Sequence, residues 1–166
     1  MTVAQRRASR QQRYFEDLIE GDERLSQPRA VSEAELLEFA RTYDPQYFHA
    51  DPRAAARSVF GGLVASGIFT MAVWRQLDHL ICGDVAWICG VAWDDVRFPK
   101  PVRPGDSLRA RALCLSKRPS RKDPRRGIVV FEYTLLNQRG ETVFTCRSTN
   151  LVERQPVATD GGGSRQ

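Results

Sequence analysis

Between Ser66 and Gly83 lies a segment whose apolar residues leave no continuous polar stripe. Ile68, Phe69, Met71, Ala72, Val73, Trp74, Leu77 and Leu80 surround most of a helical circumference. A surface helix keeps one polar face, so a helix of this kind must be wrapped by other structure. The apolar stretch from Gly61 to Trp74 is too short and too glycine-interrupted to span a bilayer, which leaves protein as the wrapping. After Gly83, a C-terminal stop signal, the pattern becomes β. Val85 to Val91 is apolar and Trp93 to Phe98 alternates, and two further strand-like runs follow at Ser107 to Lys117 and Gly127 to Asn137. Asn137-Gln138-Arg139-Gly140 reads as a hairpin turn into a last strand, Thr142 to Glu153. One buried helix followed by antiparallel strands predicts an α+β fold, a sheet wrapped around a long central helix.

Upstream, Ser32 and Glu35 form a capping box ahead of Leu36, Leu37, Phe39 and Ala40. That helix should end near Tyr43, because Pro45 disfavours helical geometry at Asp44. Asp51-Pro52 starts a second, short helix through Ala54 to Ala56: an N-cap followed by proline at the first helical position. Tyr14 to Ile19 fits a short strand or a helical turn equally. The chain of 166 residues, 42% of them apolar, suits one domain. Residues 1–12 read as a disordered basic tail, 13–156 as the folded domain and 157–166, with Gly161-Gly162-Gly163-Ser164, as a flexible tail.

The net charge of +5 concentrates in Arg6, Arg7, Arg10 and Arg13 and in the Lys117 to Arg126 cluster between two strand runs. These read as a solvated tail and a loop tip, and their positive charge would suit a phosphate-bearing small molecule. No aromatic residues interleave them, which argues against nucleic acid. The N-terminus lacks the apolar core of a signal peptide, so a cytoplasmic location and no membrane partner are expected. Cys82, Cys89, Cys114 and Cys146 form no CxxC pair, and the chain has two histidines. No metal site is expected, and the cysteines are read as small buried apolar residues.

The chemistry-bearing feature is Tyr43-Asp44-Pro45-Gln46-Tyr47-Phe48-His49-Ala50-Asp51, an acid and an imidazole five residues apart. Downstream, Phe60-Gly61-Gly62-Leu63-Val64-Ala65-Ser66-Gly67 opens the long helix. Asp44 alone could be a turn residue bonded to its own backbone, and His49 beside two aromatics could be a satisfied core histidine. An acid/base pair followed by a helix N-terminus, however, supplies proton transfer and oxyanion stabilisation together. Hydration or dehydration next to a carbonyl needs both. Ser66 is the helix N-cap, with a secondary role in holding a water or the Asp44 carboxylate. Gly67 offers the first free backbone N–H. Gly61 and Gly62 serve a tight turn, Asp51 reads as a cap, and His79 near the helix C-terminus is favourable to the dipole.

Together with Arg97-Phe98-Pro99-Lys100-Pro101-Val102-Arg103-Pro104-Gly105-Asp106, these two segments resemble the MaoC-like dehydratases, the R-specific enoyl-CoA hydratases with the hotdog fold. The family's first motif commonly has Asn-Pro two residues after the aspartate. Here Pro45 comes first and Gln46 takes the asparagine's place, while the aspartate-to-histidine spacing survives. The resemblance implies a single hotdog domain and a homodimer with its two sheets joined edge to edge. It further implies an acyl thioester substrate on coenzyme A or acyl carrier protein, and no cofactor beyond the coenzyme A of the substrate. On it, Asp44 and His49 activate water to add to, or leave, the C2=C3 bond, and the Gly67 N–H serves as oxyanion donor. Arg97, Lys100 and Arg103 are the candidate contacts for coenzyme A phosphates. A hotdog acyl-CoA thioesterase and a non-catalytic acyl-binding hotdog subunit are the alternatives. Trp74, Trp87, Trp93, Phe69 and Tyr47 either shorten the acyl pocket or fill the core.

Overall fold

A computed structural model describes residues 11–156. The two expected tails lie outside the described residues, except for Gln11 and Gln12. Short strands β1 (Glu23–Leu25) and β2 (Arg29–Ala30) are followed by helix α1 (Glu33–Tyr43), two single-turn helices α2 (Tyr47–Ala50) and α3 (Pro52–Ala55), and the long helix α4 (Gly67–Cys82). Four long strands complete the domain: β3 (Trp87–Arg97), β4 (Ser107–Pro119), β5 (Arg126–Leu136) and β6 (Thr142–Glu153). All pair antiparallel in the order β1-β4-β5-β6-β3, with β2 also on β4. This is the α+β layout expected from the sequence.

Strands β4 and β5 bury nearly every second residue on their inward face, whereas β3 stays largely exposed. On β5 the buried set is Gly127, Val129, Phe131, Tyr133 and Leu135. Trp74, with no exposed surface, is the centre of the contact between helix and sheet. Its ring centroid lies 5.0 Å from Tyr133, 5.2 Å from Phe144 and 5.2 Å from Trp93. Truncating such a side chain to alanine typically costs about 3–5 kcal/mol. Ser32 and Glu35 make the capping box of α1 in both directions. Asp51 caps α3 through the Arg53 and Ala54 N–H groups.

Several expectations are corrected in detail. Two strand runs before Phe98 merge into one β3, because bulges at Trp87/Cys89, Gly90/Ala92 and Asp94/Arg97 shift the alternation without breaking pairing to β6. Asp95 adopts φ 52° at the last of these. Gly83 follows α4 in a right-handed conformation, and its need for glycine is steric: a Cβ would collide with the His79 carbonyl oxygen. Cys82, Cys114 and Cys146 are buried as expected, but Cys89 is exposed. It sits on β3, which pairs with β6 alone among the described strands and so lacks cover on its outer side. Among the described residues no helix is long and apolar enough to cross a membrane.

The segment left open, Tyr14 to Ile19, contains a 3-10 turn at Phe15–Asp17. Phe15 lies flat on β5 where Gly127 leaves no side chain, and a Cβ there would enter the ring. Gly127→Ala should therefore destabilise the fold by about 1–3 kcal/mol through overpacking. Combining it with Phe15→Leu should recover part of that loss. Urea unfolding of both variants checks this, and an unchanged midpoint in Gly127→Ala would contradict the packing.

Candidate active site

Asp44 terminates α1. Its N–H bonds Ala40 O at 2.9 Å, and its backbone (φ −153°, ψ 72°) leaves the helix as Pro45 requires. Turn α2 then brings His49 back beside it. His49 is pinned by its backbone and its ring: Phe48 O accepts from the Val64 N–H at 3.2 Å, and His49 Nδ1 lies 2.8 Å from Val64 O. A carbonyl can only accept, so Nδ1 carries a proton in that contact, and neutral imidazole then presents Nε2 as an acceptor. Nε2 lies 3.8 Å from Asp44 Oδ2. The separation is long for a direct hydrogen bond, and one water can donate to both. The side chains are 9% exposed for His49 and 20% for Asp44, so both are largely shielded from solvent.

The loop from Phe60 to Ala65 delivers the helix start. Ala65 N bonds Val102 O at 2.8 Å, and Arg103 Nη2 bonds Phe60 O at 2.7 Å. Ser66 is fully buried and does two things: Oγ accepts the Ile68 N–H at 3.2 Å as N-cap, and donates to Asp44 Oδ2 at 2.6 Å. The Ser66 hydroxyl and then the Gln46 amide, at 3.1 Å from Oδ1, hold the Asp44 pKa below the usual carboxylate range, with His49 adding to it. The Gly67 N–H has no acceptor among the described residues, as expected of the first position of a helix. Phe98 closes over that position: a Cβ on Gly67 would stand 3.1 Å from its ring.

The structure thus gathers Asp44, His49, Ser66 and Gly67 in one place. No contact joins the three basic candidates. Arg103 holds the Phe60 carbonyl, Lys100 pairs with Glu141, and Arg97 lines a separate cleft with Glu132 and Thr145. Gln46, Val64 O and Phe98 were not legible as site residues. Gln46 was the only visible signal, as a departure from the family motif. The other two act through a backbone carbonyl and a ring at a distant strand end.

A family profile described as "MaoC like domain" matches residues 15–133. The uncharacterized protein YdeM of Bacillus subtilis is 34% identical over 75% of this chain and 87% of its own length. The 3-hydroxyacyl-thioester dehydratase Z of Mycobacterium tuberculosis is 35% identical over 48% of this chain and 55% of its own length. The match spans 31% of the length of the protein MaoC of Klebsiella aerogenes and 20% of that of a mesaconyl-CoA hydratase of Haloarcula hispanica. Among solved structures, a MaoC-like dehydratase from Rhodospirillum rubrum superposes with a TM-score of 0.82 at 39% identity, covering 87% of this chain and 99% of that one.

Removing the Ser66 hydroxyl takes away the largest influence lowering the Asp44 pKa, and the helix cap with it. Ser66→Ala should raise the Asp44 pKa, read by carboxyl carbon NMR, and cost about 1 kcal/mol of stability. The extra stability that the depressed Asp44 pKa gives the wild type is present above the unfolded-state carboxyl pKa. It disappears as pH falls through the folded value, so the gap between wild type and variant should narrow in acid.

Proposed function

This chain belongs to the MaoC-like dehydratase family of hotdog proteins, and from that premise we propose that it interconverts enoyl and (R)-3-hydroxyacyl thioesters. The observation carrying the reading is the convergence of two acceptors, Asp44 Oδ2 and His49 Nε2, beside the unpaired N–H at the start of α4. In the hydration direction a water held between the two attacks C3. Asp44, kept ionised by Ser66 and Gln46, accepts its proton, while His49 orients the water and takes part in proton exchange. The hydroxyl ends on C3 and a proton on C2, so atoms and charge balance. Negative charge developing on the thioester oxygen meets the Gly67 N–H and the positive end of a 16-residue helix.

The substrate is a thioester of coenzyme A or of acyl carrier protein, and the chemistry calls on no further cofactor. Of the three basic candidates, Arg97 is the one whose side chain makes no ion pair or hydrogen bond among the described residues, since Lys100 pairs with Glu141 and the Arg103 guanidinium donates to Phe60 O, and it is the first choice for a phosphate contact. The working unit is a homodimer joined at β3. This strand's outer edge is unpaired among the described residues and exposes Ile88, Val91, Trp93 and Val96, the kind of edge that proteins otherwise blunt or cover.

Purified protein should consume crotonyl-CoA, followed as loss of the conjugated thioester absorbance. Asp44→Asn and His49→Ala should each lower kcat/KM about a hundredfold or more. Turnover untouched in both variants would overturn the assignment. Release of free coenzyme A thiol instead of hydration would favour the thioesterase alternative.

A further inference from the structure

The loop that leads into α4 is lightly held over its first half. Val59 is 96% exposed and Phe60 36%. Among the described residues, the hydrogen bonds made by residues 57–62 stay within residues 54–61, with one exception. That exception is Arg103, whose Nη2 donates to Phe60 O at 2.7 Å across 43 positions of sequence. A Cβ on Gly62 would stand 3.4 Å from Arg103 Nη1, so the guanidinium lies along the loop backbone from Phe60 to Gly62.

Arg103 is itself braced. Its backbone N–H donates to Asp106 Oδ2 at 2.8 Å, and Asp106 Oδ1 accepts from Gln138 Nε2 at 2.9 Å. Asp106 is buried, and so is Val102, whose carbonyl accepts the Ala65 N–H at 2.8 Å. Two successive residues of one buried turn therefore grip the loop, at Phe60 and at Ala65. Between these points lies Val64, whose carbonyl fixes the His49 ring. Directly after them come Ser66, bonded to Asp44, and Gly67, which offers the first N–H of α4.

We infer that Arg103 is a positioning residue of the reaction: it holds the loop so that the Val64 carbonyl and the Gly67 N–H stand in register with Asp44. The inference rests on the enoyl thioester reading above and replaces a phosphate contact as the role of this arginine. A guanidinium bonded to a carbonyl is a charge-assisted contact, and its loss frees residues 57–62 to drift. Displacing reacting groups by about 1 Å can cost about a hundredfold in rate. Val64 would shift with the loop, so His49 would lose the acceptor that keeps its proton on Nδ1.

The test compares crotonyl-CoA with crotonyl-pantetheine, which keeps the thioester and lacks the nucleotide phosphates. Arg103→Met should lower kcat on both by a similar factor, about tenfold to a hundredfold, with KM moved less. Arg103→Lys keeps the charge and a donor without the planar fork, and should recover part of the loss. Gly127→Ala, which lowers stability away from the site, is the control, and its kcat per folded molecule should stay near the wild-type value. The chain has two histidines, so nitrogen NMR reads the His49 ring directly: one tautomer, protonated on Nδ1, in the wild type, and a mixture in Arg103→Met. A loss confined to crotonyl-CoA and expressed in KM would make Arg103 a phosphate contact and overturn the inference. So would an unchanged kcat in Arg103→Met, an equal loss in Gly127→Ala, or a His49 tautomer that does not move. If the wild type turns over neither thioester, the enoyl thioester reading falls by itself, and the His49 ring signals still decide for or against Arg103.

Discussion

Trp74 has no exposed surface and meets Tyr133, Phe144 and Trp93 at ring distances of 5.0–5.2 Å, so α4 cannot slide along or roll on the sheet without giving up that contact. Packed interiors yield little to small displacements. The consequence reaches beyond stability. With the body of α4 fixed, its first N–H groups are fixed too, and a helix N-terminus becomes a defined point of positive potential. The loop from Phe60 to Ser66 is tied to that point by Val102 and Arg103, and α2 is tied to the loop through Val64. The acid and the imidazole are thus positioned by backbone contacts to a segment that the core already holds.

Ser66 joins the two halves of the site. Its hydroxyl oxygen accepts from the helix and its proton goes to Asp44. One side chain therefore satisfies an orphan helix donor, orients the carboxylate and keeps it ionised. An anion at that position also complements the helix dipole. An alanine would leave Asp44 with Gln46 as its one remaining side-chain hydrogen bond among the described residues, on the other oxygen, Oδ1. The depressed Asp44 pKa sets how strong a base it can be. A carboxylate this well stabilised is a weak base toward free water, and needs the Nε2 of His49 and the oxyanion donor to share the work.

Much of this was legible in the sequence because it is local. Ser32 and Glu35, Asp51 with Pro52, and Ser66 ahead of an apolar run are signals within four residues, and each cap forms as read. The alternation of β5 survives because both its neighbours pair in nearly unbroken register. What escaped is non-local. The bulges of β3 answer to its pairing with β6, and exposure of Cys89 follows from which strand stands at the sheet edge. Burial of Asp78 depends on Arg75 beside it and Tyr133 across the sheet, although a polar residue in a final helical turn reads as solvent-facing. Arg103 and Lys100 were legible as positive charge, but not the carbonyl and carboxylate that engage them. For the site, sequence placed Asp44, His49, Ser66 and Gly67 in order, and three-dimensional structure added the distances between them.

Isotope placement tests the central claim most directly. Crotonyl-CoA incubated with the protein in water enriched in oxygen-18 and deuterium should give (R)-3-hydroxybutyryl-CoA carrying the heavy oxygen on C3 and a deuterium on C2, as read by mass spectrometry and chiral analysis. Heavy oxygen in free crotonate, with release of coenzyme A, would show attack at the thioester carbonyl instead, and would contradict the roles assigned to Asp44, His49 and Gly67.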